Sequence, residues 1–279
     1  MPSTVPTNTA PTSTAPTSTV PTSTVRTVKP TGTQRFPLGS LRKTALIAGA
    51  LYLLTFVASI PARILISPML DNPDYIVSSG SDTPVLWGNV LDVITALAGI
   101  GTAIVLFRVV KRQNEALALG FVASRVLEAA LILVGVVSLL SVVTLRQQLA
   151  GASGADAASI AATGRSLVAT HDWAYLLGPA LMAGLNALLL GSMMYRSRLV
   201  PRIIPILGLI GAPLIIASAL ATVFGIYPQF SVWGGIATIP IFLWELSLGV
   251  YLVVKGFRPC PITAEMTTAT PPTNHNVTA

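Results

Sequence analysis

The chain has 279 residues, of which 52% are hydrophobic and only 10% charged, with a formal net charge of +7. Soluble domains carry roughly a quarter charged residues, so this composition excludes a soluble globular protein. One cysteine and two histidines exclude a disulfide scaffold and a structural zinc site, and no metal or cofactor is expected.

Residues 1–40 are rich in Pro, Thr and Ser and include a near-exact pentapeptide repeat over 11–25. Such a segment has almost nothing to bury, and each proline fixes φ and removes a donor, which predicts an extended, disordered tail. The first apolar run begins only near Thr44, too late for a secretory signal, so no cleavage is expected. Six long apolar runs follow, at about 44–66, 86–110, 120–145, 173–195, 203–226 and 232–254. Each exceeds the ~20 residues that cross a hydrocarbon layer of ~30 Å at 1.5 Å per residue. Lipid leaves no solvent for unpaired backbone groups, and the runs lack strand alternation, so they read as six transmembrane helices.

Pro61, Pro179, Pro205, Pro213 and Pro240 fall within or beside these runs, where kinks are expected. Between the first two runs, 61–85 holds Asp71, Asp74 and Asp82 with several prolines and reads as an irregular acidic loop. Between the third and fourth, the alanine-rich stretch 155–170, with Ile160, Leu167 and His171 on one stripe, reads as a helix extending the fourth span. Small residues at helical spacing, Ala183, Ala187 and Gly191, then Gly208 and Ala212, indicate close helix packing. Residues 258–279 form a second polar, proline-rich tail with a sequon at Asn276.

The basic residues are sorted by side. Thirteen flank the N-terminus (Arg26, Lys29, Arg35, Arg42, Lys43), the second-to-third loop (Arg108, Lys111, Arg112), the fourth-to-fifth loop (Arg196, Arg198, Arg202) and the C-terminus (Lys255, Arg258). Only Arg63, Arg146 and Arg165 lie on the other side. The positive-inside rule therefore predicts that both termini are cytoplasmic, which an even number of spans requires. The fold class is an all-α polytopic transmembrane bundle with a six-helix domain over 41–257. The positive charge is a topological device, so the lipid bilayer is the expected partner and nucleic acid is not. A small-molecule or ion ligand, a homo-oligomer and a protein partner stay open.

Several stretches carry a resemblance: 42–45 leading into 51–56, Arg125 to Ala129, His171-Asp172-Trp173, 195–202, 207–213 and Glu245 to Gly249. In order and in register, they resemble a bacterial integral membrane family, the domain of unknown function numbered 4386, over roughly 41–257. The repetitive N-terminal tail lies outside that pattern. The resemblance implies a polytopic protein of the bacterial inner membrane and brings no catalytic residues with it.

Charges inside a span are the chemical signal, because each costs roughly 2.5–3.5 kcal/mol at the bilayer centre. They are Asp92 on the second run, Arg125 and Glu128 on the third, and Glu245 on the sixth. Arg125 and Glu128, three apart, share a helix face. Arg125 and Glu245 both lie about 13–15 Å from the inner ends of their helices at 1.5 Å per residue, so they can meet across the bundle. The expectation is an Arg125, Glu128 and Glu245 cluster toward the inner half, with an amide from Asn186 and with Asp92 nearer the outer half. Two neighbouring carboxylates in low dielectric do not readily both ionise, so one should hold a proton unless a cation or water supports it. This suits a carrier of a small solute coupled to protons or cations. It also suits a structural pin in a regulatory or structural subunit, and, third, an intramembrane enzyme on a lipid or quinone. His171 and Asp172 form a candidate outer-mouth site, although neighbours on a helix do not ordinarily face each other. No catalytic or nucleotide-binding motif is present.

Overall fold

The computed structural model describes residues 2–3, 38–72, 75–77, 80–149, 155–261 and 263. The expectations for the two tails lie outside the described residues except at 2–3, 38–40, 258–261 and 263, and so does Asp74. Contacts divide the chain between Gln34 and Arg35, and the unit beginning at Arg35 carries every helix below.

The helices are α1 Leu38–Leu70, α2 Thr83–Val110, α3 Glu115–Leu149, α4 Ala155–Tyr175, α5 Ala183–Ser197, α6 Ile203–Val223 and α7 Val232–Val254. A short 3-10 turn occupies Tyr75–Val77, and a π-helical segment, Leu176–Met182, joins α4 to α5 in one continuous rod. Among the described residues there is no strand. Six helices are long and apolar enough to cross a membrane, the fourth of them Ala158–Ser197 across the π segment. The protein is a multi-pass membrane protein by length and composition of its helices. Its outward surface agrees: Val57, Ile64, Trp87, Leu97, Leu119, Val137, Ile203 and Trp233 are all exposed, the apolar surface that lipid covers and water would not.

Most helices extend a few residues beyond their apolar runs, and three features differ further from the sequence reading. The irregular loop expected over 61–85 is shorter, because α1 continues to Leu70 with Pro61 and Pro68 inside it. Within a bundle, neighbouring groups can re-satisfy the carbonyl a proline frees. The fifth span stops at Val223 rather than 226, since Gly225 adopts φ +70°, the left-handed geometry that ends helices. At Pro179 the expected kink takes the form of the π segment, a wider turn often found where a helix is interrupted. The alanine-rich stretch is helical, and Ile160 and Leu167 pack against the cluster formed by Ile66, Met69, Tyr75, Ile76 and Leu139.

The spans close a ring in which α1 lies between α2 and α7, α3 follows α2, the fourth span follows α3, and α6 joins that span to α7. Two polar clamps hold its ends. At the end bearing the start of α1, Arg42 donates to the carbonyls of Leu252, Val253 and Val254 at 3.0, 2.7 and 3.2 Å, satisfying the last turn of α7. There too, the Arg258 N–H donates to Leu199 O at 2.8 Å. At the opposite end, Arg146 pairs with Asp82, donates to the carbonyl of Gly80 at 3.0 Å, and lies over the Tyr75 ring at 4.6 Å. Tyr75 donates to Asp82 at 2.9 Å. Burial and the neighbouring Asp82 push its hydroxyl up to about 12.

Candidate functional site

Glycine contacts bring the intramembrane charges together. A Cβ on Gly49 of α1 would sit 2.7 Å from the carbonyl oxygen of Gly249 on α7, so the two backbones cross in near-contact. Tyr52 lies three residues after Gly49 and Glu245 four before Gly249, hence on the same helix faces as the crossing. Both point at α3. Arg125 donates through Nη2 to Glu245 Oε1 at 2.6 Å and to the Tyr52 hydroxyl at 3.2 Å, and through Nη1 to Glu128 Oε2 at 3.0 Å. Its guanidinium also lies 5.4 Å from the Tyr52 ring and 5.9 Å from that of Phe121. The arginine is 5% exposed, and its Nε has no hydrogen-bond partner among the described residues.

The fourth span reaches the same cluster through its π segment. A Cβ on Gly178 would stand 2.9 Å from Leu131 Cβ and 3.4 Å from the carbonyl of Glu128. That close approach sets α5 beside α3, and Asn186 Nδ2 donates to Glu128 Oε2 at 2.6 Å. The guanidinium thus ties three spans, α1, α3 and α7, and the fourth joins them through Glu128. Tyr52 is the member that the sequence reading does not single out for the site.

Beside the cluster lies a cavity of about 170 Å³ to which every span contributes: Thr55 and Phe56 from α1, Asp92 and Thr95 from α2, Arg125 and Glu128 from α3, Tyr175 from the fourth span, Ile215 from α6, and Thr238, Phe242 and Glu245 from α7. Three carboxylates therefore share the cavity wall with one guanidinium, a formal excess of two negative charges. Asp92 lines this cavity but pairs with no member of the cluster, so the structure places it alongside the Arg125 group rather than in it. Tyr175, Ile215 and Thr238 are shared with a cavity of about 460 Å³. That cavity in turn shares Leu176, Thr222 and Gln229 with another of about 460 Å³ beneath the 224–229 turn. The three form a chain from the centre of the bundle toward the end that carries Asp82 and Gly225. Toward the Arg42 end, Leu106, Phe121, Met193, Met194 and Leu248, each fully buried, fill the interior.

His171 and Asp172 meet, contrary to the expectation that helix neighbours diverge: Nδ1 and Oδ1 are 3.1 Å apart. The imidazole is buried and stacks on Tyr175, with centroids 5.9 Å apart. His171 also lies within electrostatic reach of Asp92. Asp172 lines the cavity under the 224–229 turn. Among the described residues, no three His, Cys, Asp or Glu side chains converge as metal ligands.

The family model described as Domain of unknown function (DUF4386) matches residues 47–256, and the chain belongs to that family. No match was found among the curated proteins or the solved structures.

Proposed function

We propose, for this member of the DUF4386 family, that the bundle carries a small cationic solute across the bacterial inner membrane, with the central cavity as its binding site. One observation carries the reading: a cavity walled by all six spans holds three carboxylates and one arginine. Intramembrane charge at such cost is a functional signal by default. Asp92, which makes no hydrogen bond or ion pair among the described residues, and Glu245, held by Arg125, are the groups that would face a cation. Arg125, Glu128, Asn186 and Tyr52 form a fixed wall. The succession of cavities with shared lining residues toward one end and the packed apolar interior toward the other support a carrier with access from one side. The thirteen basic flanking residues support placing both termini in the cytoplasm, so that the path opens outward.

The test is flux in proteoliposomes, with methylammonium and rubidium as tracer cations and an entrapped pH dye for protons. Wild type should exceed empty vesicles, and Asp92→Asn and Glu245→Gln should each lose at least tenfold while keeping a normal melting temperature. Protease outside right-side-out vesicles should spare both termini. Wild-type flux equal to that of empty vesicles would overturn the reading. A second reading, the structural pin, draws on the mutual pairing of Arg125, Glu128, Glu245, Asn186 and Tyr52. It expects the same substitutions to lower stability and leave no flux to lose.

A further inference from the structure

We infer that the solute is a small primary ammonium ion with an apolar body, rather than a bare metal cation. The inference rests on the cation-binding reading above and assigns its chemical class. A bare divalent cation takes six or more oxygens at about 2.0–2.6 Å. The cavity offers no such set: Glu128 and Glu245 each give an oxygen to Arg125, and among the described residues no three acidic side chains gather as metal ligands. Its volume of about 170 Å³ compares with the roughly 150 Å³ that admits a benzene-sized molecule. The occupant therefore brings several carbon atoms with its charge.

The hydroxyls of the cavity favour a donor. Thr55 donates its proton to the carbonyl of Tyr52 at 2.7 Å, Thr95 to that of Leu91 at 3.0 Å, and Thr238 to that of Gly234 at 2.9 Å. With those protons engaged by their own helices, the oxygens keep only lone pairs to offer, and a lone pair pairs with an N–H. Asp92 supplies the opposite charge. The apolar body finds aromatic walls: Phe56 and Phe242 stand edge to face, with centroids 5.1 Å apart and planes at 82°, and Tyr175 completes the wall. Aromatic faces attract ammonium groups by about 0.5–2 kcal/mol. A primary ammonium uses all three features, the carboxylate, the acceptor oxygens and the rings. A quaternary ammonium cannot use the oxygens, and a bare alkali ion, which can coordinate them, leaves most of the volume empty.

The experiment measures the melting temperature of the full chain in detergent against rising concentrations of four probes: butylammonium, tetramethylammonium, sodium and neutral butanol. Ligand that binds only the folded state raises the midpoint with concentration. Butylammonium should raise it saturably, with an apparent affinity at least tenfold above that of the other three. Asp92→Asn should weaken that affinity by at least tenfold, and Thr238→Val and Phe242→Leu each by three- to tenfold. The latter two leave every carboxylate in place, so a fold defect in Asp92→Asn does not decide the matter. Equal effects of butanol and butylammonium would overturn the inference, as would binding unaltered by all three variants. Binding of sodium in an Asp92-dependent manner without butylammonium would overturn the chemical class and leave the carrier reading standing. Silence from every cation in binding and in flux would remove both.

Discussion

Replacing Arg125 with methionine keeps the length and apolar body of the side chain and removes three bonds, to Glu128, Tyr52 and Glu245. Hydrogen bonds between membrane helices average about 0.6 kcal/mol and reach about 1.7, so the two that cross to Tyr52 and Glu245 amount to roughly 1–3 kcal/mol, and the pair with Glu128 within α3 adds to that. Breaking a buried ion pair from one side costs about 3–5 kcal/mol in soluble proteins, which overlaps that range. Glu245→Gln behaves differently. Its amide oxygen can still accept from Arg125 Nη2, and the loss of one carboxylate relieves the acid excess, so the change should lie within about 1 kcal/mol of wild type. The measurement is unfolding free energy in bicelles by steric trapping, with thermal melts in detergent as a second readout. Arg125→Met should fall below Glu245→Gln by at least about 2 kcal/mol. If the two variants agree within about 0.5 kcal/mol, the guanidinium does not tie the spans together and the argument from geometry to energetics is wrong.

Two other predictions probe packing and the loop. Gly208→Ala would place a methyl 2.7 Å from Trp244 Cδ2, and Trp244 is fully buried, so a loss of about 1–3 kcal/mol is expected by the same trapping assay. Gly99→Ala meets nothing within 4 Å and should be neutral or stabilising by up to about 1 kcal/mol; equal losses at both positions would contradict the packing. The Tyr75 hydroxyl, pushed up to about 12, should ionise later than exposed tyrosines, visible as a high-pH phenolate absorbance step missing from Tyr75→Phe. Because the folded value lies above the unfolded value of about 10, the tyrosine binds more protons folded than unfolded between them. Its contribution is therefore present below about pH 10 and declines as pH rises toward about 12, which makes Tyr75→Phe less sensitive to alkali than wild type in pH melts.

The spans were legible because lipid imposes a length and a composition that no other environment requires, and the last one coincides with its apolar run, 232–254. Helix ends were less legible. The first turns of α1, with Arg42 and Lys43, and the last turns of α3, with Arg146, are helical but polar, so hydropathy alone stops short of them. The meeting of Arg125 with Glu128 follows from a spacing of three, and that with Glu245 from equal depth. Depth says nothing of azimuth, and this is why Asp92 lines the cavity without joining the cluster. Tyr52 carries no pattern of its own; it enters the site through the Gly49–Gly249 crossing, which is a property of two helices and not of either sequence segment. Asn186 owes its place beside Glu128 to the π segment, which adds a wider turn that Pro179 signals only as an interruption.

Small residues show the limit of sequence reading most directly, since the same residue types do opposite work in this bundle. Gly49, Gly208, Gly211 and Gly249 each sit where a Cβ would meet a neighbouring helix at 3.1 Å or less, and there the missing side chain permits contact. Gly99, Ala96, Ala129 and Ala183 line the central cavity, and there it leaves space. Helix association in lipid is driven by packing rather than by expulsion of water, so an unfilled centre forfeits dispersion contacts with no hydrophobic collapse to close it. A ring of six spans tied by Arg125 on one side of that space, and by the Arg42 and Arg146 clamps at its ends, can hold the cavity open at that cost. Filling it should then separate the two roles the charges could play. Ala96→Leu, at a residue that lines the cavity and makes none of the Arg125 bonds, should abolish butylammonium binding and tracer flux while raising the melting temperature or leaving it unchanged. A fall in melting temperature comparable to that of Arg125→Met, with binding retained, would show that the space is part of the packing and not a site.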